Sequence, residues 1–133
     1  MPGIDECLTE AMTLPGARGA WLVDWNSGLA LGTAGESPVG DHETTAAETA
    51  ELARAAAEFD SFTVGAEGAE GDVGEPPVED LIVTTRAGYH VLRFVRTSFD
   101  SSVFLHLWLD RDTGNLALAR IRLGDLAERL VLG

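Results

Sequence analysis

The segment from Val103 to Asp110 is apolar on both sides of a two-residue repeat. Val103, Leu105, Leu107 and Leu109 fall on one side, Phe104 and Trp108 on the other, with His106 the sole polar interruption. A strand of this kind must lie inside a sheet that is covered on both faces. That requirement demands neighbouring strands and a layer of helix on each side. The chain supplies both. Val78 to Thr85, the turn Arg86-Ala87-Gly88 and Tyr89 to Thr97 read as an antiparallel hairpin. Tyr89, Val91, Arg93 and Val95 share one face of its second strand, and His90, Leu92, Phe94 and Arg96 the other. Residues 18–34 form a second hairpin around Asn26-Ser27-Gly28, where Asn and Gly accept the positive φ of a tight turn. Its first strand sets Trp21, Val23 and Trp25 against Ala20, Leu22 and Asp24, and it too is expected to be central.

Three stretches carry helical spacing. Ile4, Cys7, Leu8 and Ala11 mark a short amphipathic helix over 4–13, stopped by Pro15-Gly16, with Cys7 on its buried stripe. Leu116, Ala119, Leu123, Leu126, Ala127 and Leu130 predict a last helix near 116–131, although Leu116 to Leu123 also alternates like a strand. Between the hairpins a helix runs from Asp41 to about Phe59, with Asp41 or Thr44 as N-cap. At 100° per residue, Ala46, Ala50, Ala53 and Ala57 form one ridge. Thr45, Thr49, Leu52, Ala56 and Phe59 form a second ridge beside it, and Glu51, Arg54 and Glu58 lie on the wet side. This apolar arc covers about half the circumference, more than the ~100° that one sheet requires. It suggests two contacts, with the alanine ridge allowing another backbone to come close; the plain alternative is that alanine simply favours helix.

The expected fold class is α+β, a five-stranded antiparallel sheet between helices in the order α-β-β-α-β-β-β-α. Residues 1–133 read as one domain, of a length that hides roughly two-thirds of its unfolded surface. The Gly-, Ala- and Glu-rich stretch 63–77 reads as a flexible acidic loop.

Charge narrows the function. The net charge is −13 and there is no lysine. Glu36 to Asp80 carries thirteen acids against Arg54, a net of −12. Such a field repels phosphate backbones and anionic bilayers, so neither nucleic acid nor membrane is an expected partner. The acidity reads first as a solvated, solubilising surface, with a docking face for a basic partner as the alternative. One cysteine precludes an internal disulfide, and the opening Met1-Pro-Gly-Ile-Asp-Glu is acidic where a secretory signal is basic, so the cytoplasm is the expected compartment.

No constellation of chemistry emerges. Asp110-Arg-Asp-Thr-Gly114 places its glycine one position early for a calcium loop, and Ile121 stands where the bidentate Glu belongs. His42, His90 and His106 lack zinc-ligand spacing. His106, Asp110 and Ser101 or Ser102 suggest a Ser-His-Asp set, but no nucleophile elbow accompanies them. No Walker sequence is present, and no cofactor or catalytic residue is expected.

Two stretches carry a resemblance. Pro15-Gly-Ala-Arg-Gly-Ala-Trp-Leu-Val-Asp-Trp-Asn-Ser-Gly-Leu-Ala-Leu is one. Glu79-Asp-Leu-Ile-Val-Thr-Thr-Arg-Ala-Gly-Tyr-His-Val-Leu-Arg, with the run from Phe104 to Arg120, is the other. With the order of elements they resemble the roadblock / dynein light-chain family over about residues 4–131. The resemblance implies a non-enzymatic adaptor or scaffold that pairs with itself or with a related roadblock protein, and it implies regulation of a small Ras-like GTPase. It also implies dimerisation by joining sheets at the third strand with the second helices packed together. On this chain that would use Leu81 and Val83 with Ala46, Ala50, Ala53 and Ala57. A small-molecule sensor and, more distantly, a small hydrolase are the rival readings.

Overall fold

A computed structural model describes residues 3–63, 76–96 and 102–130. The elements are α1 (Ile4–Ala11), β1 (Ala17–Asp24), β2 (Leu29–Gly35), α2 (His42–Glu58), α3 (Asp60–Thr63), β3 (Asp80–Thr84), β4 (Gly88–Val95), β5 (Val103–Asp110) and α4 (Leu116–Arg129). The expected order holds, with one short added helix, α3. The acidic stretch expected as a loop lies largely outside the described residues, as does most of the connection 98–102.

The five strands form one antiparallel sheet in the order β2-β1-β5-β4-β3. The doubly apolar β5 is central, as its sequence requires, and β1 is flanked on both sides by strands. The hairpins β1-β2 and β3-β4 thus hang on either side of β5, leaving β2 and β3 as the edges.

The period-two pattern sorts side chains between two cores. On one face Ala20, Leu22, Val91, Val95, Leu105, Leu107 and Leu109 meet Cys7 and Leu8 of α1 and Ala119, Leu123 and Leu126 of α4. On the other, Trp21, Val23, Leu92, Phe94, Phe104 and Trp108 meet Ala46, Ala50 and Ala53 of α2. Burial raises the Cys7 thiol pKa, with Glu10 adding to the rise and Arg129 opposing it.

Local chemistry fixes the helix ends. The Asp41 carboxylate accepts from the Glu43 amide at 3.2 Å and the Thr44 hydroxyl at 2.6 Å, so Asp41 is the cap of α2. Asn115 accepts from the Leu118 amide at 3.0 Å, which starts a helix where strand-like alternation was the competing expectation. Gly32 has no Cβ to strike Ile4 and Leu8, so α1 lies close on β2. Gly16, at φ 78°, nearly touches Gly114, and its carbonyl accepts from the Asp110 amide at 2.7 Å.

Candidate functional site: the β3 edge and the face beneath α2

The ridges of α2 divide differently from the expectation. Ala46, Ala50 and Ala53 are buried within the chain, and half-buried Ala57 packs against the same cluster. The alanine ridge therefore rests on its own sheet and is not offered to a partner. The cause is steric: Trp21, Phe104 and Phe94 rise high from the sheet, and only a helix floor without large side chains sits down on them. Of the second ridge, Thr45 and Ala56 are buried too and Thr49 is half-buried, while Leu52 and Phe59 turn outward. Leu52 is 42% exposed and Phe59 57% exposed, and Phe62 of α3, 54% exposed, lies with its ring centroid 6.2 Å from that of Phe59.

α2 packs on β2 and β1, whereas α1 and α4 share the opposite face. Register places Leu81 opposite Leu92 and Val83 opposite His90, so both β3 residues point to the α2 side. Leu81 is half-buried against that core and Val83 is exposed. On the other side of β3, Asp80 is held by Arg120 of α4, with Nε 2.6 Å from the carboxylate, and by Arg93 at 4.0 Å. The β3 end is thus anchored on one face and apolar and open on the other.

Beneath α2 the sheet also carries a chain of rings that sequence reasoning did not anticipate. Arg18 stacks 4.0 Å over Trp108, and Trp108 lies nearly parallel to His90 at 6.1 Å. His90 Nδ1 is 2.8 Å from His106 Nε2, and His106 stacks on Trp21 at 4.5 Å. Trp21 Nε1 donates to His42 Nδ1 at 2.9 Å. His106 is buried and its Nδ1 has no protein partner. A bare lone pair is cheaper to bury than an N–H, so the proton belongs on Nε2 and His106 donates to His90. Burial depresses the His106 pKa well below its ordinary value, and the neighbouring His90 pushes it further down. Burial also lowers the pKa of His90. Alternation puts these residues on one face in the sequence, but their contact depends on the β4-β5 register, which pairs His90 with Trp108 and Leu92 with His106.

The Ser-His-Asp candidates are not brought together. Ser102 Oγ donates to Asp24 at 3.2 Å. Asp110 accepts from the Asp112 and Thr113 amides and the Thr113 hydroxyl, all at 3.0 Å. Those Thr113 hydrogen bonds lower its pKa. Asp110 therefore closes the β5-α4 turn, while His106 is committed to His90. Ser101 lies outside the described residues. Among the described residues there is no cluster of three potential metal ligands, and no helix long and apolar enough to cross a membrane.

No family model and no curated protein matches the sequence. Solved structures do match. MglB of Myxococcus xanthus superposes with a TM-score of 0.69 at 20% identity, covering 92% of this chain and 80% of that one. A Roadblock/LC7 domain from Streptomyces avermitilis gives 0.62 at 18% identity, covering 96% and 93%. MglC from Myxococcus xanthus gives 0.59 at 20% identity, covering 94% and 93%. Their agreement over nearly the whole chain, together with the strand order and the helices on both faces, identifies the fold as that of a distant roadblock-type domain.

Proposed function

We propose that this chain is a non-enzymatic adaptor of the cytoplasm that pairs through β3 and the exposed Leu52 and Phe59 of α2, and that the pair regulates a small Ras-like GTPase. The observation that carries the pairing is the coincidence of an open strand edge with an uncovered apolar border. An unpaired edge such as β3 is a standing template for another strand. Val83 is exposed on the α2 side of that edge, and Leu52, Phe59 and Phe62 are the large apolar side chains that α2 and α3 leave exposed. Joining two β3 edges about a two-fold axis would bring both sets together and shield them in one step. A structure of MglB is described as having a tetrameric arrangement, which is in keeping with self-association by this fold. The GTPase clause follows from the roadblock likeness.

Light scattering at micromolar concentration is expected to return about twice the 14.1 kDa chain mass. A monomer at high concentration would remove the homodimer and leave pairing with a related roadblock chain. Titration into a small GTPase of the same genome, following binding and hydrolysis together, tests the second clause. Its expected outcome is an effect that saturates with complex formation, and no turnover by the isolated chain.

A further inference from the structure

We infer that the groove between β2 and the N-terminal half of α2 takes up an extended, basic segment of a partner protein, which adds to the free edge of β2. This site is on the opposite side of the sheet from β3 and stands whether or not the chain dimerises. β2 has β1 on one side and no strand on the other among the described residues. Its side chains alternate between exposed and half-buried, and Leu29 and Leu31 are 64% and 47% exposed. Beside it runs a groove of about 670 Å³. Leu29, Ala30 and Ala47 give it an apolar lining, while Asp41, Glu43 and Glu51, set against the single cation Arg54, make it acidic on balance.

The chemistry of the occupant follows from these walls. A free edge offers backbone hydrogen bonds to any extended segment, so affinity needs no special sequence there, and specificity comes from alternate side chains. A helix is about 10 Å across and cannot use the edge ladder, whereas an added strand sits only about 4.8 Å away. Glu43, Ala47 and Glu51 follow one another at four-residue spacing along one flank of α2. Glu43 and Glu51 are therefore separated by about 12 Å along the axis. Four residues of extended chain span about 13 Å. The fitting pattern is a basic residue, a spacer, an apolar residue, a spacer and a second basic residue, with the apolar side chain over Ala47 and Ala30. A second copy of this chain is a poor occupant, since it carries −13 and no lysine.

The test uses the full chain, isotope-labelled, and the synthetic peptide Thr-Arg-Thr-Val-Thr-Arg-Thr, with a counterpart carrying Glu in place of Arg. The arginine peptide is expected to shift amide signals over residues 29–35 and 43–54, and its counterpart to shift none. Glu43→Arg with Glu51→Arg should weaken binding at least tenfold. Glu48→Arg with Glu128→Arg changes net charge equally outside the groove and should alter binding less than about twofold. Equal weakening by both pairs, shifts spread over the acidic surface or centred on β3, or no binding at millimolar peptide would each overturn the assignment. Circular dichroism of each variant separates lost binding from lost fold.

Discussion

Beneath α1 and α4 the sheet presents Leu22, Val91, Leu105, Leu107 and Leu109, and two helices close over them with leucines of their own. The rim of that face is tied by Arg120 to Asp80 and by Arg129 to Glu10. Beneath α2 the sheet presents tryptophans, histidines and phenylalanines, one helix covers part of them with alanines, and the β3 end stays open. The first face is complete within one chain. The second holds the polar rings, the exposed apolar border and a free strand edge at either end. Aliphatic side chains serve a layer whose task ends with folding. Aromatic and titratable ones fill the layer under α2, which one helix covers only in part.

The comparison breaks most sharply at the alanine floor. Ala53→Glu buries an unpaired carboxylate against Trp21 and Phe104, and the expected loss is several kcal/mol, on the order of 3–5, in the monomer itself. Chemical denaturation measures it. Wild-type stability together with loss of assembly would return the ridge to a partner.

Truncation within the complete face comes next. Leu105→Ala should cost about 2–5 kcal/mol at any protein concentration. Leu52→Glu combined with Phe59→Ser should leave monomer stability within about 0.5 kcal/mol, as surface changes do, while abolishing self-association in light scattering. A double variant that unfolds would mean Leu52 and Phe59 pack inside one chain.

Between pH 6.5 and 5 acidity acts through the two histidines of the α2 face. His90 and His106 have folded pKa values below the unfolded value of about 6.5, so the unfolded state binds their protons first. Stability is then present above pH 6.5 and lost as the pH falls through it, by at most about 1.4 kcal/mol per pH unit from His106. Arg18 over Trp108 and His42 on Trp21 are the other cationic or titratable groups along the ring chain. His106→Phe should flatten the profile between pH 6.5 and 5. An unchanged profile would assign the acid sensitivity to carboxylates.

The smallest effect lies at the rim of the complete face. Arg120→Ala removes one exposed partner of Asp80 and leaves Arg93, for an expected loss below about 1 kcal/mol. A larger loss by thermal denaturation would show that β3 depends on that tie.

Strand positions and faces were legible because the two-residue alternation in 78–110 and 18–34 is nearly unbroken, and each expected inward set appears in a single core. The wide apolar arc of α2 was legible as well, but not which part of it faced the sheet. Helical angles place Ala46 and Leu52 about 120° apart without saying which one meets Trp21. Height decided it, and height depends on the three-dimensional crowding of Trp21, Phe94 and Phe104. Helix α3 escaped notice because four residues carry no period. The His90–His106 contact escaped because cross-strand register is not written within either strand.

The ring chain also makes the protein its own optical probe. Two of the three tryptophans lie against imidazoles: Trp21 on His106, and Trp108 beside His90. A protonated imidazole quenches an adjacent indole far more strongly than a neutral one, so the emission of Trp21 and Trp108 follows the charge state of the pair. Trp25 lies outside the chain of stacked rings and contributes the steady background. Dimming as the solution is acidified, before any change in the far-ultraviolet spectrum, would report the proton entering between β4 and β5 without a label.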